Sequence, residues 1–198
     1  MRTRDQAKYN AIIQASIKLV NELGFAGISI SKIAEQAKVS PATIYIYFKN
    51  KEDLLTKLYV DIRKQMSQGA LQGLQDDMSV EQAFKSIWQR SFFFNLEHPD
   101  YLRYREQFEQ TAMMANIQQN EFELFQQIQE LFQRGIEENI LQELPIPLLT
   151  SFAFIPIITL LKFHFDGMIT MEENLINHAC EIAWNAIKKA DTGSHSSH

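Results

Sequence analysis

Apolar residues along this 198-residue chain recur at intervals of three and four, the spacing that lines one face of an α-helix. Ile12, Ile13, Ile17, Leu19 and Val20 mark a first helix over about residues 4–23, with Gly24 as its C-terminal stop. Short helices follow over 31–37 and 41–48. A fourth runs over 50–69, where Asn50 is placed to cap the start and Asp53, three residues on, favours the positive end of the helix dipole. A polar link over 72–78 leads to helices over 80–96, 101–115 and 117–139, the break at His98-Pro99 placing Pro99 to open the middle one. The last two, over 147–166 and 171–189, are apolar on more than one face, and Pro156 is expected to kink the first of them. Only Gly27-Ile28-Ser29-Ile30 hints at a strand-like alternation. The pattern thus predicts an all-α fold of about nine helices, with a polar and disordered tail over 191–198.

Composition narrows the class. The apolar fraction is 45% and the charged fraction 22%, as in globular proteins, and only 7 Gly and 5 Pro interrupt the helices. The lone cysteine, Cys180, cannot make an internal disulfide or a thiolate metal site. No leader-like apolar run opens the chain, and the most apolar stretch, 152–161, falls short of the ~20 residues of a membrane span, so a cytoplasmic protein without membrane contact is expected. The net charge of −5 hides an asymmetry. Residues 1–50 hold seven basic side chains and three acidic ones, a net +4, which leaves −9 for the rest. A basic head on an acidic body suits a head that meets phosphates.

That head contains the informative segment. Ile33, Ala37, Val39, Ile44 and Phe48 form the apolar seam of two short helices crossing through a tight turn, and Ala34 is small where they approach. Ser40 is an apt N-cap, and Pro41 costs nothing at the first helical position. With Ile44 and Phe48 turned inward at i, i+4, the residues Ala42, Thr43, Tyr45 and Tyr47 are left facing outward wholly or in part. Exposed tyrosines serve solubility poorly but suit contacts with sugar-phosphate and thymine methyl groups in a major groove.

These residues resemble the TetR family of bacterial regulators. The match runs through Leu23-Gly24-Phe25, Ile28-Ser29-Ile30 and Ile33-Ala34. It continues as Val39-Ser40-Pro41-Ala42-Thr43-Ile44-Tyr45-Ile46-Tyr47-Phe48 and ends with Lys51-Glu52-Asp53-Leu54-Leu55. It covers about fifty residues with order and spacing kept. The resemblance implies a helix-turn-helix DNA-binding domain over 1–49, in which Ser40, Pro41, Ala42, Thr43 and Tyr45 meet the groove while Ser29, Tyr47, Lys49 and Lys51 serve phosphates. It implies a regulatory, ligand-binding and dimerisation domain over 50–190, hence a homodimer on double-stranded DNA with a palindromic operator. Two departures stand out. Lys38 occupies a turn position where glycine is common, at a cost of ~1 kcal/mol if the backbone is left-handed there. Ile46 replaces a frequent second aromatic, a change expected to alter packing rather than contact. No arginine lies on the reading helix, so a bidentate guanine contact from it is not expected.

The body offers weaker signals. Trp88, Phe92, Tyr101, Tyr104, Phe108, Phe122, Phe125 and Phe152 are candidates to line an elongated pocket for a small apolar or aromatic effector, with His164 as a polar contact. The default for each aromatic is core packing. In the last helix one stripe is Leu175, Ala179, Ile182 and Ala183, and another is Ile176, Cys180, Trp184 and Ile187. One can serve the core and the other a partner; Phe154, Ile158, Ile176, Cys180, Trp184 and Ile187 are the candidates for the dimer interface. No metal-ligand spacing, cofactor motif or catalytic constellation is present, so neither a metal, a cofactor nor an enzyme is expected. The leading expectation is a repressor released by a ligand. The alternative is a ligand-independent DNA-binding factor whose body docks a protein partner.

Overall fold

The computed structural model describes residues 3–117 and 122–190; the expected disordered tail lies outside the described residues. Among these residues there are nine α-helices and no strand: α1 Thr3–Gly27, α2 Ile30–Gln36, α3 Pro41–Tyr47, α4 Lys51–Leu71, α5 Val80–Glu97, α6 Pro99–Glu109, α7 Glu123–Glu137, α8 Ile146–Phe165 and α9 Glu173–Ile187. The expected all-α class is what is found. Gly24 does stop the regular part of α1: its backbone (φ 69, ψ 169) breaks the helix before a last short turn to Gly27. Ile12, Ile17, Leu19 and Val20 are buried by that helix as the spacing required.

Three boundaries move for local reasons. The helix expected to reach 115 ends at Glu109, because the Thr111 hydroxyl and amide both donate to the Phe108 carbonyl (2.7 and 2.9 Å) and Thr111 turns extended. A short 3-10 helix, Ala112–Asn116, follows. Ile117, the expected start of the next helix, is extended (φ −99, ψ 123), and residues 118–121 lie outside the described residues. At the far end of α7, Asn139 takes a left-handed backbone (φ 59), and the amides of Ile140 and Leu141 return to the Gly135 carbonyl at 2.8 and 2.9 Å. Gly135 is required there, since a Cβ would lie 2.7 Å from Leu141 and 3.0 Å from the Val80 side chain. Helix α8 runs unbroken through Pro156 for 20 residues and, by length and mean hydropathy (1.9), is apolar enough to cross a membrane. The shorter apolar run of 152–161 understated it.

The described residues form two compact units. One takes its residues from Met1–Gln65 and Glu97–Gln119, the other from Met66–Leu96 and Asn120–His198. The first therefore holds α1 to α3, most of α4 and also α6, so it is larger than residues 1–49. Aromatic packing explains why. Phe108 stacks on Tyr59 of α4 at 4.3 Å, Phe25 packs on Tyr104 and Phe108 at 5.4 and 5.8 Å, and the Tyr104 hydroxyl donates to the Leu55 carbonyl at 2.9 Å. Burial of Tyr104 raises its phenol pKa, so the hydroxyl stays a donor. Beside this seam Glu109 accepts from the Tyr59 hydroxyl (3.2 Å) and pairs with Arg63 (3.5 Å) and the buried Arg105 (3.6 Å).

In the second unit Phe84 gathers Phe132, Phe154 and Trp184 around it, with ring centroids 5.4–6.3 Å away. Trp88 stacks on Phe92 (5.6 Å), and its indole N–H donates to the Ala153 carbonyl at 2.8 Å. The carbonyl that Pro156 deprives of an amide donor is that of the preceding residue, Phe152. On the surface Lys85 of α5 joins Glu81 on its own helix to Glu181 of α9.

Candidate nucleic-acid interface

Each helix of the helix-turn-helix is fixed by a local cap. The Ser29 side chain accepts from the Lys32 amide (3.3 Å) to start α2, and Lys32 Nζ donates to the Gly27 carbonyl (2.7 Å). The connecting turn places Lys38 at φ 55, the left-handed conformation that makes lysine unusual here. Ser40 starts α3: its hydroxyl accepts from the Thr43 amide (3.2 Å) and lies 2.9 Å from the Thr43 hydroxyl, with Pro41 in the first turn. Ile33, Ala34, Ile44 and Phe48 are buried and hold the crossing. Asn50 then accepts from the Asp53 amide (2.7 Å), and Asp53 in turn accepts from the Lys49 amide (2.8 Å) and Lys57 Nζ (3.0 Å). The Lys49 backbone bond first, then Lys57, holds the Asp53 carboxyl below its usual pKa. This reciprocal capping fixes α4 directly behind α3.

The outward side of α3 is consequently well defined. Pro41, Ala42, Tyr45 and Ile46 are exposed, and Thr43 is half-buried. Ser29, Ser40 and Lys49 are also exposed, as are Lys32 and Lys38 nearby. Two candidates are turned elsewhere. Tyr47 is half-buried against α1, donating to the Asp5 carbonyl (3.2 Å) and meeting Tyr9 edge-on at 5.7 Å. Lys51 is half-buried with Nζ 3.4 Å from the carbonyls of both Phe25 and Ile28, so it ties α4 to the end of α1. Ile46 is the residue that sequence reasoning left out. Expected to alter packing, it packs little within its unit and is 75% exposed. Its spacing of four from Ala42 was the available signal.

The other candidates scatter. Tyr104 and Phe108 are core of the first unit, Tyr101 is half-buried against His98 (5.1 Å), and Trp88, Phe92 and Phe122 are core of the second. Phe125 is half-buried in the second unit. The candidates are thus divided between the two units, and none of them lines the ~660 Å³ cleft of the second unit, whose walls include Glu81, Asn139, Glu181 and Lys188. His164 is half-buried, its Nδ1 accepting from the Met171 amide at 3.3 Å. Phe152 is 60% exposed and faces outward.

The interface stripe on α9 needs correcting. Ile176, Cys180, Trp184 and Ile187 are each no more than 4% exposed within the chain, so they belong to the core rather than to an outward apolar face. Burial likewise pushes the Cys180 thiol up to about 12, which leaves it inert. Phe154 points into the Phe84 cluster, and Ile158 is half-buried. The large apolar side chains left uncovered are Leu148, Phe152, Ile155 and Phe163 on α8 and Leu175 and Ile182 on α9.

Comparison with known proteins bears on both units. Residues 12–58 match the family model for bacterial regulatory proteins of the tetR family, and residues 79–188 match that of the tetracyclin repressor-like C-terminal domain. The crystal structure of a TetR family transcription regulator from Marinobacter aquaeolei VT8 superposes with a TM-score of 0.89 at 30% identity, over 96% of this chain and 100% of that one. FadR from Bacillus subtilis, solved in complex with stearoyl-CoA, gives a TM-score of 0.71 at 21% identity over 88% of this chain and 95% of that one, a likeness of fold. The fatty acid metabolism regulator protein of Bacillus subtilis (strain 168) is 50% identical over 52 residues, 26% of this chain and 27% of that protein. Matches to the first curated relatives span less than a third of their length.

Proposed function

Because the chain belongs to the TetR family of bacterial regulators, we propose that this transcriptional regulator is a dimeric repressor. It binds a palindromic operator in the cytoplasm and leaves it when a small, largely apolar ligand occupies the second unit. The observation that carries the reading is the capped α3, which presents Ala42, Thr43 and Tyr45 outward with Lys32, Lys38 and Lys49 around it. Phosphates meet the lysines and the Ser29 and Ser40 hydroxyls. Groove edges meet the α3 side chains.

The dimer rests on the uncovered apolar stripe of α8 and α9. A second copy related by a two-fold axis covers that stripe with the same residues, an isologous contact. It also accounts for the exposed apolar surface of α8 without a membrane. Two heads then address major grooves ~34–36 Å apart. An apolar effector is supported by the aromatic-rich interior of the second unit and by the fold-level likeness to a regulator solved with stearoyl-CoA. Release follows from the ligand's greater affinity for the state that fits DNA poorly.

The test is fluorescence anisotropy on duplexes from the chain's own upstream region over a range of salt. Affinity should fall steeply as salt rises, because phosphate contacts release counterions. Tyr45→Ala, at a position 56% exposed, should keep the melting temperature and lose more than tenfold in specific affinity. Salt-insensitive binding, or unchanged affinity in the variant, refutes the reading. One observation favours the ligand-independent alternative: Trp88 and Phe92 are fully buried and stack on each other, filling space an effector would need. Calorimetric titration with long-chain acyl thioesters separates the two.

A further inference from the structure

Helix α3, Pro41–Tyr47, carries no charged side chain and no amide side chain. Bidentate reading of guanine needs arginine or lysine, and that of adenine needs asparagine or glutamine. Neither is available from this helix. The Ser40 and Thr43 hydroxyls, 2.9 Å apart, already bond to one another and cap the helix. What the helix does present is apolar surface. Ile46 is 75% exposed, the highest value among the large hydrophobic side chains described, and Ala42 lies one turn before it on the same face, with Tyr45 beside them. The one apolar group on a base edge in the major groove is the C5-methyl of thymine.

We infer that Ile46 is a specificity-determining residue that reads a thymine C5-methyl in each half-site. Ala42 provides the space beside it and Tyr45 flanks it. The inference rests on the DNA-binding reading above and sharpens it: selectivity on this helix comes from a methyl contact, while the surrounding lysines and hydroxyls position it without reading sequence. The physical basis is the transfer of one methyl group and the end of one isoleucine from water to mutual contact.

The experiment uses the full-length chain and a duplex recovered from a random pool by repeated selection. Each thymine is replaced in turn by deoxyuridine, which deletes the methyl and keeps the base pair. At one or two positions per half-site the wild type should lose about fourfold in affinity per methyl. Ile46→Ala should bind thymine and uracil duplexes equally at those positions, and Ile46→Val should retain part of the ratio. Thermal melts should match the wild type, since the side chain is exposed. If uracil is tolerated everywhere, or if Ile46→Ala keeps the wild-type ratio, the inference is overturned while salt-dependent, selective binding leaves the DNA-binding reading intact. If no duplex is enriched and binding is insensitive to salt, both are overturned.

Discussion

On helix α9 the large residues of the two apolar stripes have opposite fates, and substituting one residue in each should separate folding from assembly. Ile182 is 71% exposed in the chain, whereas Ile176 is 1% exposed. Ile182→Ala removes three carbons, worth about 2.4 kcal/mol if wholly buried at ~0.8 kcal/mol each. The chain itself covers 29% of that residue, so a partner can supply at most about 1.7 kcal/mol of it per copy. Two-fold symmetry counts the loss twice, about 3.4 kcal/mol, or roughly 300-fold in the dimer dissociation constant. Ile176→Ala instead opens a cavity in the core and should cost 2–5 kcal/mol of fold stability, at about the level of other large-to-small core changes. Sedimentation equilibrium reads the first effect, and urea unfolding at one fixed, high protein concentration reads the second, since stability and dimerisation are linked. A dimer unaffected by Ile182→Ala, together with a folded monomer from Ile176→Ala, would falsify the assignment of the stripes.

Two further predictions concern the fold. Trp88→Phe deletes the 2.8 Å donation to the Ala153 carbonyl and should cost about 1–2 kcal/mol, because donor and acceptor residues are both fully buried; a change below about 0.5 kcal/mol in urea unfolding contradicts this. The Asp53 pKa is lowered in the folded chain, chiefly by the Lys49 amide, so its contribution is full at neutral pH and is lost as pH falls below about 4. Asp53→Asn should therefore flatten the acid side of the stability–pH curve, and an unchanged slope between the two proteins argues that the carboxylate plays no such part.

What was readable from the chain was mostly what is local. Ser40 and Asn50 cap helices because an oxygen and an amide three residues apart must meet, and Gly24 breaks α1 because only glycine takes φ 69 cheaply. The strained lysine at position 38 was readable for the same reason. Tertiary choices were not. The stripes on α9 are equally apolar, and only the presence of Phe84 and its neighbours decides that Trp184 turns inward and Ile182 outward. Tyr104 and Phe108 were candidates for an effector pocket since nothing in their spacing reveals that Tyr59 and Phe25 await them. Thr111 ended α6 through a hydroxyl that competes with the helix, a signal present but easily outweighed by the apolar spacing around it.

The embrace of α1 and α4 by α6 has a consequence for anyone who would exchange parts between regulators of this kind. A chimera joined at residue 50 would transplant α1 without Tyr104 and Phe108, stripping Phe25 of both ring partners, whereas a cut between α4 and α6 would part Tyr59 from Phe108 and the Leu55 carbonyl from the Tyr104 hydroxyl. A portable reading head is instead discontinuous in sequence, and a faithful graft must carry residues from two separate stretches of chain. Exchanges confined to α3 leave this packing untouched, whereas cuts between α4 and α6 break it.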